Sequence, residues 1–108
     1  MSYKVIFTSD ALRDAKQLRK KYPSFKSDLA NLIESLQQDP QQGESLGKDC
    51  YKIRLAISSK NKGKRGGARA ISCVKLIDET VYLVAIYDKS EADTIAEGDL
   101  DDRLLNIP

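Results

Sequence analysis

Between residues 50 and 57 the chain alternates strictly, with Tyr51, Ile53, Leu55 and Ile57 on one side of an extended backbone and Lys52 and Arg54 on the other. Residues 68–77 and 80–87 form two further strand-sized runs, and Asp78-Glu79 between them suits a tight turn. Three such strands in succession restrict the chain to a meander with one dry and one wet face. The N-terminal half carries helices instead. Ser9 is placed to cap a first helix, with Asp10 in its first turn and the apolar stripe Ala11, Ala15, Leu18 and Tyr22. Pro23 ends that helix. Ser24 is placed to cap a second, with the stripe Phe25, Leu29, Leu32, Ile33 and Leu36, closing before Asp39-Pro40. Residues 3–7 read as a short strand, 41–49 as a loop, and the chain after Ser90 as a short acidic helical tail with Ile95, Leu100, Leu104 and Leu105. The expected order is β-α-α-β-β-β-α, an α+β fold with an N-terminal strand and a helical hairpin packed on an antiparallel sheet.

At 108 residues this fits a single domain spanning 1–108, long enough to bury a core. The 41% hydrophobic and 31% charged residues exclude a disordered or fibrous chain. The longest apolar run, near Val81, falls far short of the roughly 20 residues of a membrane span. The first residues lack the apolar core and cleavage site of a signal peptide, so a cytoplasmic location and no membrane partner are expected.

Net charge is +2, but its distribution is uneven: residues 48–75 carry +8 and residues 76–108 carry −7. The basic block peaks at residues 60–69, where five cations and three glycines occupy ten positions. Clustered cations repel one another without an anion, and glycines let backbone approach a partner closely. That combination points to a polyanion. There is no histidine, and Cys50 and Cys73 have no metal-ligand spacing, so neither a metal nor a cofactor is implied. The two cysteines would lie near one another in a hairpin of their strands, and are read as small buried hydrophobes rather than a disulfide.

Arg54, then the run Lys62-Gly63-Lys64-Arg65-Gly66-Gly67-Ala68-Arg69-Ala70-Ile71, then Ile86-Tyr87-Asp88-Lys89-Ser90-Glu91 resemble, in order and interval, a pattern of the RelE/ParE superfamily of type II toxins, most closely its HigB/RelE branch. The resemblance covers nearly the whole chain and fades from Gly98 to Pro108, where the acidic ending replaces a lysine-rich tail. It implies a RelE-like fold and a ribosome-dependent endoribonuclease that cuts mRNA without a metal and is neutralised by a cognate antitoxin. Its partners would be that antitoxin, the ribosome and mRNA.

Such cleavage needs a base for the 2′-hydroxyl proton, cations for charge developing on the phosphate, and an acid for the 5′-oxygen. Without histidine, lysine and tyrosine are the candidates. Arg54 and Arg69 suit phosphate clamping, because a guanidinium fork reaches two phosphate oxygens at once. Lys62 and Lys64 are candidates for positioning or proton transfer, and Lys89 for a second cation from the far strand. Tyr87 shares strand parity with Lys89 and could stack on a base or assist the proton transfer. Lys52, Lys60 and Arg65 are candidate RNA contacts. Two other readings share the fold: a ParE-like DNA gyrase inhibitor without chemistry, and an inactive RNA-binding relative. The cationic cluster favours the nuclease.

Overall fold

The computed structural model describes residues 2–61, 63–92 and 94–108. Its elements are β1 (Lys4–Phe7), α1 (Ser9–Lys21), α2 (Phe25–Gln38), β2 (Glu44–Gly47), β3 (Cys50–Leu55), the single turn α3 (Gly63–Gly66), β4 (Ala68–Lys75), β5 (Thr80–Asp88) and α4 (Glu97–Leu104). The strands form one sheet in the order β1-β5-β4-β3-β2, in which β1 runs parallel to β5 and every other neighbour is antiparallel. Among the described residues, no helix is long and apolar enough to cross a membrane.

The expected elements are present, with β2 and α3 added. The segment expected as a loop at 41–49 contains β2, which returns into β3 through Lys48 and Asp49, both at positive φ (55° and 61°). Two left-handed residues in succession are the backbone of a tight hairpin turn whose twist matches its strands. Helix α1 is capped by Thr8 rather than Ser9: its Oγ1 accepts from the Ala11 amide and its hydroxyl donates to the Leu83 carbonyl, so the cap also ties the helix to β5. Ser24 precedes α2 without capping its amides, and its hydroxyl is instead hydrogen-bonded to the Asp28 carboxylate.

The hairpin stripes bury Ala11, Ala15, Leu18, Phe25, Leu32 and Leu36 against Ile53, Leu55, Ala70, Val74, Val81, Leu83 and Ile86 on one face of the sheet. Burying each large side chain contributes about 1.5–3 kcal/mol. The opposite face holds Ile71, Cys73, Val84 and Ala85, covered by Ile95, Leu100, Leu104 and Ile107. Leu105, expected on that stripe, is exposed instead. Two adjacent β5 residues, Val84 and Ala85, share this face because the β4–β5 register shifts there, pairing Ile71 with Ala85 and Ser72 with Leu83. The Asp14 carboxylate accepts from the Ile86 amide beside the shift and also from Arg103 of α4, whose guanidinium donates in turn to the Val84 carbonyl. The irregularity thus becomes the anchor of the C-terminal helix.

Cys50 and Cys73 face one another across β3 and β4 and are joined in a disulfide, which corrects the reading of them as two unlinked apolar side chains. Their closeness follows from the hairpin, which places them directly opposite in register.

On the helix side, Asp88 closes the end of β5 and is only 2% exposed. One of its oxygens accepts from Lys60 Nζ and from the Ser90 amide and hydroxyl, and the other accepts from Tyr22 and Lys21. Burial pushes this carboxyl up, but the hydrogen bonds from Lys60, Tyr22 and Ser90 outweigh it and hold the group far below the usual carboxylate range. Lys60 also donates to the carbonyls of Gly66 and Gly67, so the network fastens both ends of the basic loop to β5. Gly67 permits that closure: a Cβ there would stand 2.1 Å from the Leu55 carbonyl oxygen.

Asp88→Asn leaves a buried ammonium without its counter-charge and should cost about 3–5 kcal/mol of unfolding free energy. The sign of its pH dependence follows from the lowered value. The stabilisation is complete above the unfolded carboxyl's pKa of about 4 and is lost as pH falls below it toward the folded value. Urea unfolding between pH 6 and pH 3 should therefore show a shallower loss of stability in Asp88→Asn than in the parent chain. Equal slopes would mean that Asp88 is not the carboxylate described.

Candidate nucleic-acid interface

The β3–β4–β5 register sets Arg54 beside Arg69 and Arg69 beside Tyr87, three direct cross-strand neighbours in one row. Two arginines placed directly opposite repel each other. Arg69 relieves this by turning its guanidinium onto backbone: Nη1 donates to the Lys64 and Ala68 carbonyls and Nη2 to the Arg65 carbonyl, leaving the residue 3% exposed. It thereby holds the α3 turn over the sheet edge. Arg54 stays exposed.

Arg54 and Arg69 line an open cleft of about 620 Å³ with Lys52, Lys64, Glu44, Gln42, Gly43 and Ile53. Its charge is strongly cationic, with Lys52, Arg54, Lys64 and Arg69 against Glu44, which sits 3.6 Å from Lys52. A smaller opening of about 270 Å³ shares Gln42, Arg54 and Lys64 and extends toward α2 with Asn31 and Ser35. Gly43 shapes the rim. It has φ +102°, and a Cβ would meet the Lys52 carbonyl oxygen at 2.6 Å.

Of the residues singled out from sequence, the structure brings Lys52, Arg54, Lys64 and Arg69 into this cleft. Tyr87 continues the row but lines a neighbouring opening with Asp14, Ile95, Asp99 and Arg103, beside α4. Lys89 follows β5, half-buried, and its amide donates to the Gly67 carbonyl. Arg65 is exposed on α3 outside the cleft lining. Lys62 lies outside the described residues. Lys60 lies outside this lining: its ammonium faces Asp88, two backbone carbonyls and the Tyr22 ring at 5.0 Å, on the helix side of the sheet, where it fastens the loop. Hydrogen bonds to Asp88, Tyr22 and Glu91 hold the Lys21 ammonium above the usual lysine range.

Sequence reasoning misses Gln42 and Glu44, because a segment with two glycines and no apolar period reads as a loop. The signal is present in Gly47-Lys48-Asp49, a turn-forming triplet directly before the alternating strand. It also misses Asp88, whose mark is a carboxylate ending a nine-residue strand that is otherwise uncharged.

The architecture is a known one: the fold is that of RelE-type toxins. The free Escherichia coli toxin RelE, in a double arginine-to-alanine mutant, superposes with a TM-score of 0.64 at 19% identity over all of both chains. The toxin–antitoxin complex RelBE2 of Mycobacterium tuberculosis matches with a TM-score of 0.62 at 20% identity, covering 82% of this chain and 92% of that one. The same E. coli mutant bound to a peptide of the antitoxin RelB gives 0.58 at 20% identity over the full length of both. No protein-family sequence model matches the chain, and no curated protein sequence matches it. At these identities the likeness is one of fold.

Two substitutions separate the roles of the paired arginines. Arg54→Ala should leave thermal stability unchanged and weaken binding of single-stranded RNA, lowering the slope of log affinity against log salt by about 0.7, one phosphate contact. Arg69→Ala should in addition lower unfolding free energy by about 1–3 kcal/mol, because three backbone carbonyls lose a donor. Equal melting temperatures for the two variants would contradict the assignment of Arg69 as the prop of α3.

Proposed function

We propose that this chain is the toxin of a type II toxin–antitoxin pair and that it cleaves mRNA on the ribosome by attack of a 2′-hydroxyl on the adjacent phosphate. The observation that supports this most is the cleft in which Arg54, Arg69, Lys52 and Lys64 converge, on a fold shared with RelE. In the reaction, the 2′-hydroxyl gives up its proton to a base, for which Lys62 is the candidate, the 2′-oxygen forms a bond to phosphorus, the bond to the 5′-oxygen breaks as that oxygen takes up a proton, and the products are a 2′,3′-cyclic phosphate and a 5′-hydroxyl. Charge grows on the non-bridging oxygens as the pentacoordinate state forms. Exposed Arg54 suits those oxygens as a two-pronged donor, with the buried Arg69 guanidinium beside it. Lys64, exposed at the cleft mouth, suits delivery of a proton to the departing 5′-oxygen. Tyr87, next in the row, suits stacking on a neighbouring base. Lys62 is retained as a candidate for positioning or proton transfer, Lys89 as a second cation, and Arg65 as a contact to ribosomal RNA.

A cognate antitoxin is proposed as the partner, a reading supported by the RelB peptide carried by a protein of the same fold. The gyrase-inhibitor reading needs no convergent phosphate clamp and is the weaker one.

Primer extension on transcripts translated with the purified chain should reveal discrete cuts that are absent without ribosomes. Arg54→Ala should lower their rate by about 10²–10³-fold, the scale of one lost transition-state donor. Cleavage should persist in EDTA at concentrations that leave ribosomes intact. Arrested DNA replication with uncut transcripts would favour the gyrase reading instead.

A further inference from the structure

Gln42 is the residue at which the cationic cleft and the smaller opening toward α2 meet, since it lines both. Its amide is held in one orientation. Nε2 donates to Ser35 Oγ at 2.8 Å and to the Asp39 carbonyl at 3.1 Å, and because a carbonyl can only accept, the nitrogen and oxygen of the amide cannot exchange places. Both N–H groups are thereby used. What the side chain has left to offer is Oε1, an acceptor on a residue that lines both openings with Arg54 and Lys64.

From this geometry we infer that Gln42 determines base preference in the proposed cleavage, by accepting a hydrogen bond from an exocyclic amino group of the nucleotide next to the phosphate held by Arg54. This inference rests on the mRNA-cleavage reading. An amide whose nitrogen is already engaged offers only its acceptor, which welcomes the 6-amino group of adenine or the 4-amino group of cytosine and, at the same position of the base, meets the 6-oxo of guanine or the 4-oxo of uracil with two opposed lone pairs. A freely rotating glutamine would present either end and discriminate nothing. Ser35 and the Asp39 carbonyl are therefore positioning groups, and Gln42 reads the base. The cations beside it bind phosphate, which is common to all four nucleotides, so they cannot supply the choice.

The test uses the full chain, ribosomes and synthetic mRNAs that differ only at the nucleotides flanking the cut, with adenosine replaced by inosine, which exchanges the 6-amino group for an oxo group. The intact chain should cut the adenosine transcript about tenfold faster, the worth of one discriminating hydrogen bond. Gln42→Ala should bring the two rates within about twofold of each other, and Ser35→Ala, which removes one of the two acceptors of the amide nitrogen and leaves the Asp39 carbonyl, should leave an intermediate ratio. The ratio, and not either rate alone, separates the two roles: a purely structural Gln42 would slow both transcripts equally and leave the ratio intact, which would overturn the inference. Equal cutting of both transcripts by the intact chain would overturn it too, with mRNA cleavage itself still standing. Absence of any cut in either transcript would instead bring down the cleavage reading, and this inference with it.

Discussion

The buried contact between Asp88 and Lys60 is what the arrangement of the cleft depends on. A carboxylate and an ammonium taken out of water cost several kcal/mol each unless their hydrogen bonds are filled. Here they are: Tyr22, Lys21 and Ser90 complete the carboxylate, and the Gly66 and Gly67 carbonyls complete the ammonium. A loop with the repulsion of the basic segment would otherwise extend into solvent. Because its first cation is bound inward and its last glycine lies against the Leu55 backbone, the loop folds back over the sheet and delivers Lys64 to the side of Arg54. The same contact thus joins α1, the loop and β5 on one face while shaping the site on the other.

That site keeps a local conflict which stability alone would remove. Arg54 stands opposite Arg69, with Lys52 and Lys64 lining the same cleft and Glu44 the acid among its lining residues. Arg69 is partly neutralised by carbonyl dipoles, and Arg54 is exposed. Replacing Arg54 by threonine or valine would suit a strand better. Such a conflict suits the proposed function, in which a phosphate would complete the charge balance. The bulge at Val84–Ala85 is a second departure from regularity, and its purpose is visible: it turns two apolar side chains toward α4 and presents backbone groups to Asp14 and Arg103.

Much of this is legible in the sequence because it rests on period and on local chemistry. The alternation of Tyr51, Ile53, Leu55 and Ile57 marks the buried face of β3, and the stripes around Pro23 mark the hairpin. Arg54 and Arg69 are legible as a pair because strand parity follows from counting residues. Long-range contacts are not legible. Lys60 and Lys64 look alike in a basic run, and what separates them is Asp88, 28 residues on from Lys60. The β2 strand is hidden because all four of its residues are exposed, so no hydrophobic pattern betrays it. The Cys50–Cys73 bond is hidden for another reason: register brings the two residues together, whereas expectation about compartment argues against joining them.

The central claim is that the groove between β2, β3 and α3 is where RNA lies. It is tested most directly by cryo-electron microscopy of the chain on a ribosome programmed with mRNA carrying 2′-O-methyl groups, which removes the attacking hydroxyl and traps the uncut strand. The predicted result is the methylated nucleotide's phosphate between Arg54 and Lys64, with Lys60 still bound to Asp88 behind the loop. An mRNA path that leaves this cleft empty, for example one along the α1–α2 surface, would contradict it.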